Sequence, residues 1–269
     1  MSLRVQLYEL THRGNPGDLA FYQRLCRGLP SVLELGCGYG RVLAALDGTV
    51  LELVGLDSDA ELLDRARQLA PGAQLVEGDL RDFDLERRFE CVLVPFNTLY
   101  CLRHGERLPF FARIAKHLSP GGHLALDVWN ADALCENAMG DEEEYPSGEA
   151  ERLFNVCVNG SDWEVYEWGY WNREEAHYGA EYQHLCRASG KELSYAIDHF
   201  YTSRSQLEAE LEQSGFGIER VEGGFAGQAW NRDSEVSCVL AKKLLTPIPP
   251  ASEPKRGAAR VAQAPPGSR

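Results

Sequence analysis

Residues 31–46 read SVLELGCGYGRVLAAL, and the fold turns on this stretch. SVLELG (31–36) is a short apolar run ended by glycine, the pattern of a strand buried on both faces of a parallel sheet. GRVLAAL (40–46) then carries its apolar residues at helical spacing. Between them, Glu34-Leu35-Gly36-Cys37-Gly38-Tyr39-Gly40 sets glycines at alternate positions. Glycines there let the chain turn sharply from strand into helix and bring helix N-terminal amides close to a ligand. A glycine-rich loop alone also fits a dinucleotide-binding fold. The spacing GxGxG rather than GxGxxG, and an acid two residues before the first glycine, depart from that fingerprint.

Strand and helix patterns continue to alternate downstream. LELVGLD (51–57) reads as a second strand, followed by a helix from Asp59 to Leu69 with Ser58 or Asp59 as its N-cap. AQLVEGD (73–79) is a third strand and ECVLVPF (90–96) a fourth. A helix is expected from Glu106 to Leu118, a turn at SPGG (119–122), and a fifth strand at HLALDVW (123–129). Such units imply a parallel sheet with right-handed crossovers and helices on both faces. After Asn130 the period changes. A polar loop, DEEEYPSGE (141–149), precedes three or four segments of β-period, with turn signals at NGSD (159–162) and ASGK (188–191), so an antiparallel sheet is inserted here. Helical spacing resumes at SRSQLEAELEQSG (203–215), with Gly215 as its stop, and FGIERVEGGF (216–225) and SEVSCVLAKK (234–243) are the last strands. From Leu244 the chain has no periodicity and reads as disordered.

Three stations beyond the glycine loop carry chemistry. Asp57, at the end of strand two, is placed to accept hydrogen bonds from both hydroxyls of a ribose. Asp79, closing strand three, is placed to accept from an adenine amino group while the Leu80 amide donates to the ring. Pro95-Phe96-Asn97 breaks strand four at its carboxyl end, where open α/β sheets bind ligands.

With these motifs in hand, VLELGCGYGR, VGLDSD, VEGDLRDF, ECVLVPFNTLYCL and LSPGGHLALDV together resemble the class I S-adenosylmethionine-dependent methyltransferase family. The likeness covers about residues 30–130 and resumes at about 200–243, where the final strands resemble that fold's antiparallel pair. It implies an α/β fold, a Rossmann-like seven-stranded sheet with an antiparallel β insertion after strand five, and S-adenosyl-L-methionine as cofactor. Glu34, Gly36, Gly38, Asp57 and Asp79 match residues that contact the methionine, ribose and adenine moieties; Cys37, Ser58, Leu80, Pro95 and Phe96 complete the expected cofactor set. The segment from Tyr8 through Arg13 to Tyr22 resembles one that many small-molecule members fold over the cofactor, which gives Tyr8 and Arg13 a lid role. The implied organisation is a lid or docking segment (1–30), a core (31–130 and 203–243), a β cap (131–202) and a tail (244–269).

Composition narrows the partners. The formal charge is −14, and residues 1–241 alone hold 21 bases against 40 acids, a surface that repels phosphate backbones and excludes nucleic acid as the expected partner. No apolar run has the length of a signal peptide or a membrane span, and the eight cysteines form no CxxC pair and no metal-ligand rhythm. A cytoplasmic monomer or homodimer with reduced cysteines and no metal is expected.

The sulfonium of adenosylmethionine is already activated, so catalysis consists mainly of alignment, with a general base needed only if the acceptor must lose a proton. His199 and His104 are the candidate bases; His12 and His123 are weaker ones. Asn97, Tyr100, Trp129 and Asn130 lie at strand carboxyl ends and are the candidate acceptor contacts. The aromatics of the insertion alternate at β-period and chiefly pack one sheet face. Residues 130–200 hold 16 acids and four bases, a net of −12 over the expected mouth of the site. Such a field concentrates cations, so a small-molecule amine is the favoured acceptor and N-methylation is preferred to O-methylation. A protein or RNA methyltransferase and a non-catalytic adenosylmethionine-binding regulator are the alternatives.

Overall fold

A computed structural model describes residues 1–136 and 150–245. Two helices, α1 (Leu3–Thr11) and α2 (Asp18–Cys26), precede β1 (Ser31–Leu35), α3 (Arg41–Leu46), β2 (Glu52–Asp57), α4 (Ala60–Leu69), β3 (Gln74–Glu77) and β4 (Phe89–Val94). A 3₁₀ turn (Thr98–Cys101), α5 (His104–His117), β5 (Leu118–Trp129) and α6 (Asp132–Glu136) follow. Four strands come next: β6 (Glu151–Val158), β7 (Ser161–Asn172), β8 (His177–Cys186) and β9 (Lys191–Phe200). The described chain closes with α7 (Arg204–Gln213), β10 (Phe216–Glu222) and β11 (Val236–Lys243).

The main sheet has seven strands in the order β10-β11-β5-β4-β1-β2-β3. β1 to β5 are parallel, while β11 runs antiparallel to β5 and β10 antiparallel to β11. β1 is buried along its whole length because both faces are covered. Leu33, Leu35, Val92 and Leu126 face α5 and α7, and Val32, Leu53, Leu93 and Ala125 face α2, α3 and α4. Gly40, at φ +85°, starts α3 where a Cβ would stand 2.8 Å from that of Ala66 on α4; only glycine allows the two helices this approach. Asp59, not Ser58, caps α4, accepting from the Glu61 and Leu62 amides.

β6 to β9 form a separate antiparallel sheet, all four segments being strands. Asn159 (φ 51°) and Gly160 (φ 76°) join β6 to β7, both in the left-handed region that a two-residue hairpin demands. α1 is wedged between this sheet and the core. Leu7 packs on Val156, Val158, Trp163 and Val165 of the sheet, while Val5 packs on Leu62 of α4. Arg4 pairs with Asp59, and Arg65 of α4 with Glu9.

Several expectations are corrected. SPGG is not a turn ahead of the fifth strand: β5 runs from Leu118, and its pairing with β4 jumps from Leu118 to His123, so these residues form a bulge within the ladder. The helix expected from Glu106 begins at His104, with the Glu106 carboxylate accepting from the Arg103 amide as its cap. β10 ends at Glu222, short of Phe225. The loop expected at 141–149 and the tail beyond Leu245 lie outside the described residues. No described helix is long and apolar enough to cross a membrane.

Candidate active site

At the carboxyl ends of β1, β2 and β4 lies a cavity of about 340 Å³. Its floor is the glycine-rich loop. The Gly36 and Cys37 amides donate to the Leu56 carbonyl at 2.8 and 3.0 Å, tying the loop to the end of β2. Asp57 completes the tie, accepting from the Gly38 amide at 2.7 Å and the Asp59 amide at 2.9 Å. Burial pushes the Asp57 carboxyl above its ordinary range, and these amides oppose that shift. Gly36, at φ +69°, stands where a Cβ would strike the Thr98 side chain, so loop and 3₁₀ turn touch directly.

Glu34 projects from β1 into the cavity wall, 2% exposed, and its Oε2 has no hydrogen-bond partner. Burial raises its pKa well above the usual range, and the positive charge of Arg41 counteracts this. Arg41 is engaged by Asp18 of α2 through two contacts of 2.9 and 2.7 Å, with its guanidinium 5.6 Å from the Phe96 ring centroid.

The next wall is Pro95-Phe96-Asn97. Phe96 (φ 52°) and Asn97 (φ 62°) are consecutive non-glycine residues in the left-handed region, at roughly 1–3 kcal/mol each. Asn97 takes the Trp129 amide on its side-chain oxygen at 2.7 Å.

The roof comes from α1 and the inserted sheet: Tyr8 and His12, then Tyr182, Ile197 and His199. His12 is the centre of a ring cluster, its centroid 4.3 Å from Tyr8, 5.0 Å from Tyr182 and 5.8 Å from Tyr195. Its Nε2 lies 3.0 Å from the Tyr195 hydroxyl, and the Tyr39 hydroxyl donates to its carbonyl at 2.9 Å, joining roof to floor. Burial, reinforced by His184 and His199, lowers the His12 pKa to about 4. Burial likewise brings His199 to about 4, and its Nδ1 is buried without a hydrogen-bond partner. Both imidazoles are neutral at neutral pH.

The structure brings Tyr8, Glu34, Gly36, Cys37, Gly38, Asp57, Ser58, Leu80, Pro95, Phe96, Asn97 and His199 to this one cavity. Six expected residues stand apart from its lining, each for a physical reason. Arg13 turns back to donate to the Leu10 carbonyl. Asp79 is held by the Arg81 guanidinium, at 2.8 and 2.6 Å. Tyr100 is 1% exposed, its hydroxyl donating to the Trp129 and Thr202 carbonyls. Trp129 packs on Tyr100, Trp171 and Tyr201. Asn130 donates to the Arg232 and Ser234 carbonyls. His104, on a helix rather than a loop, sets its Nε2 3.2 Å from the Glu175 carbonyl. Conversely, Tyr39, Arg41, Thr98, Cys101 and Ile197 line the cavity without having been expected there. Tyr39, Arg41, Thr98 and Cys101 adjoin motif residues in sequence, which was their signal; Ile197 had none. Among the described residues no cluster of His, Cys, Asp or Glu is arranged to hold a metal.

This arrangement has known counterparts. A family model described as a methyltransferase domain matches residues 32–122. The chain is 28% identical over 202 residues to dTDP-3-amino-3,4,6-trideoxy-alpha-D-glucopyranose N,N-dimethyltransferase of Streptomyces venezuelae, covering 74% of this chain and 80% of that one. It is 32% identical over 134 residues to dTDP-3-amino-3,6-dideoxy-alpha-D-glucopyranose N,N-dimethyltransferase of Streptomyces fradiae, covering 46% of this chain and 52% of the relative, so about half of that protein is spanned. Among solved structures, an S-adenosylmethionine-dependent methyltransferase from Clostridium acetobutylicum superimposes with a TM-score of 0.73 over 90% of this chain and 98% of its own, at 14% identity, a likeness of fold. The sheet order, the glycine-rich loop tied to Asp57 and these likenesses agree: residues 32–122 match a methyltransferase domain, and the fold is that of S-adenosylmethionine-dependent methyltransferases.

Proposed function

We propose that this methyltransferase acts on an amine nitrogen of a small molecule, held between the glycine-rich floor and the histidine-bearing roof. One observation carries the reading: the cavity that opens over the loop is closed on its far side by ring faces and by two histidines kept neutral. Bound adenosylmethionine supplies a methyl group already activated on sulfur, so the chain's task is placement. The residues present fit that cofactor. Glu34 offers a buried carboxylate oxygen with no protein partner, suited to an ammonium, and Asp57 keeps lone pairs free for ribose hydroxyls. Ser58 and Leu80 flank the same space, with Tyr8 above it, and the Phe96 ring is left to the acceptor side.

On the acceptor side, ring walls penalise the charged form of an amine, which favours binding as the free base. Neutral His199 presents imidazole nitrogen as an acceptor for the amine N–H. That contact turns the nitrogen lone pair away from the roof and towards the floor. The proton of the methylated ammonium leaves to solvent, because an imidazole held at about 4 is too weak a base to keep it. The inserted sheet, with nine acids against four bases in residues 150–200, draws ammonium ions from solution to the mouth. Two of the relatives are N,N-dimethyltransferases of dTDP-linked amino sugars, which makes that class the first to test.

The test is a panel of amino sugars, simple amines, phenols and carboxylates of matched size, read by S-adenosylhomocysteine release and product mass. Amines are expected to turn over best, with kcat/KM falling as salt rises. A phenol or carboxylate as the best substrate refutes the proposal.

A further inference from the structure

We propose that Asp127 is a positioning residue for methyl transfer, holding the Phe96–Asn97 shelf in a backbone conformation it does not adopt unaided. The inference rests on the cavity being the transfer site, as argued above. Asp127 sits on β5 behind the shelf, outside the cavity, and is 1% exposed. Its Oδ1 accepts from the Phe96 amide at 3.0 Å and from the Tyr22 hydroxyl of α2, while its own carbonyl accepts from the Asn97 amide at 3.0 Å. The Oδ2 has no partner. Two consecutive amides of a left-handed pair are thus caught by one residue, and the carboxylate is itself aimed by a tyrosine from another helix.

This arrangement has a cost the fold does not require. A carboxylate with one bare oxygen is held where water cannot reach it, and two L-residues are kept at positive φ. Strain of this kind persists where the surroundings over-determine it, and here it shapes the wall that an acceptor must touch. Pro95, Phe96, Asn97 and Thr98 all line the cavity, and Thr98 meets Gly36 of the floor. Relaxing the pair toward ordinary φ moves the Phe96 ring and the Asn97 side chain relative to the glycine loop. The loop itself is anchored separately, through Leu56 and Asp57. The prediction is therefore selective: Asp127 governs acceptor alignment and leaves cofactor binding largely alone.

Asp127→Leu removes both side-chain bonds at similar size; Asp127→Asn keeps an oxygen that can accept them. Amide exchange at Phe96 needs no acceptor and reads the shelf directly. In Asp127→Leu, exchange at Phe96 should accelerate by about 100-fold, the Kd for S-adenosylhomocysteine should stay within about 3-fold, and kcat/KM for the best amine of the panel should fall by about 30-fold or more. Asp127→Asn should restore slow exchange and most of the turnover. Tyr22→Phe, a milder change that serves if Asp127→Leu does not fold, should accelerate Phe96 exchange by a smaller factor in the same direction. Wild-type exchange at Phe96 in both Asp127→Leu and Tyr22→Phe overturns the proposal. So does loss of cofactor affinity in step with turnover, which marks a general structural role. Failure of every amine to react refutes the acceptor reading alone and leaves the exchange result to decide this one.

Discussion

Replacing Asp57 by alanine probes the floor of the site most directly. Its carboxylate accepts from the Gly38 and Asp59 amides at 2.7 and 2.9 Å, lines the cavity, and has capacity on each oxygen for a further bond. Hydrogen bonds to a charged group contribute about 1.5–3 kcal/mol each, and the burial that raises this carboxyl's pKa cancels part of that. We expect a net loss of about 1–3 kcal/mol in S-adenosylhomocysteine affinity, a rise in Kd of roughly 5- to 150-fold. The freed Gly38 amide should also lower Tm, by about 2–6 °C for a chain of this size. Titration calorimetry measures the first effect and a thermal melt the second. A ligand lacking the 2′ and 3′ hydroxyls separates ribose contact from loop order, because it should bind wild type and Asp57→Ala almost equally. If Asp57→Ala binds S-adenosylhomocysteine within twofold of wild type, the ribose lies elsewhere and the assignment of this floor is wrong.

Two further outcomes concern stability. Arg107 is fully buried with its guanidinium 3.8 Å from Glu210 and donating to the Phe200 carbonyl, so Arg107→Met should cost about 1–3 kcal/mol by leaving both groups short of a partner. Chemical denaturation should show much of the loss recovered in Arg107→Met/Glu210→Leu; a double variant no better than the single one refutes the pairing argument. His12 and His199, at about 4 in the folded chain against an ordinary 6.5, bind protons more weakly when folded, so their stabilisation is present above about pH 6.5 and lost as pH falls toward 4. Asp127, raised to about 6, has the opposite sign between its ordinary value and 6 and offsets one histidine's share. Urea titrations at pH 7 and 5 should show His199→Asn losing about 1–2 kcal/mol less than wild type across that interval; equal losses would mean that His199 is not held neutral by burial.

Much of this protein is legible in its sequence. β1 shows as SVLEL because a strand covered on both faces is apolar throughout, and Gly36, Gly38 and Gly40 show because only glycine takes those turns at no steric cost. Asp57 follows from its station at a strand's carboxyl end. These are local demands, written within a few residues of where they act. Tertiary structure decided the rest. Tyr100 has the position of a substrate contact but is buried, because the Trp129 and Thr202 carbonyls claim its hydroxyl from segments 29 and 102 residues away. His104 and His199 looked alike in sequence; one meets the Glu175 carbonyl and the other the cavity, a choice made by how the inserted sheet lies on the core. Asp127 is one acid within an apolar strand, and its role exists only because α2 brings Tyr22 to it and β4 ends in a left-handed pair beside it. Hydrophobic period and turn chemistry are short-range and leave their mark on the sequence. Which polar group meets which across the fold depends on packing between distant segments, and only the assembled chain settles it.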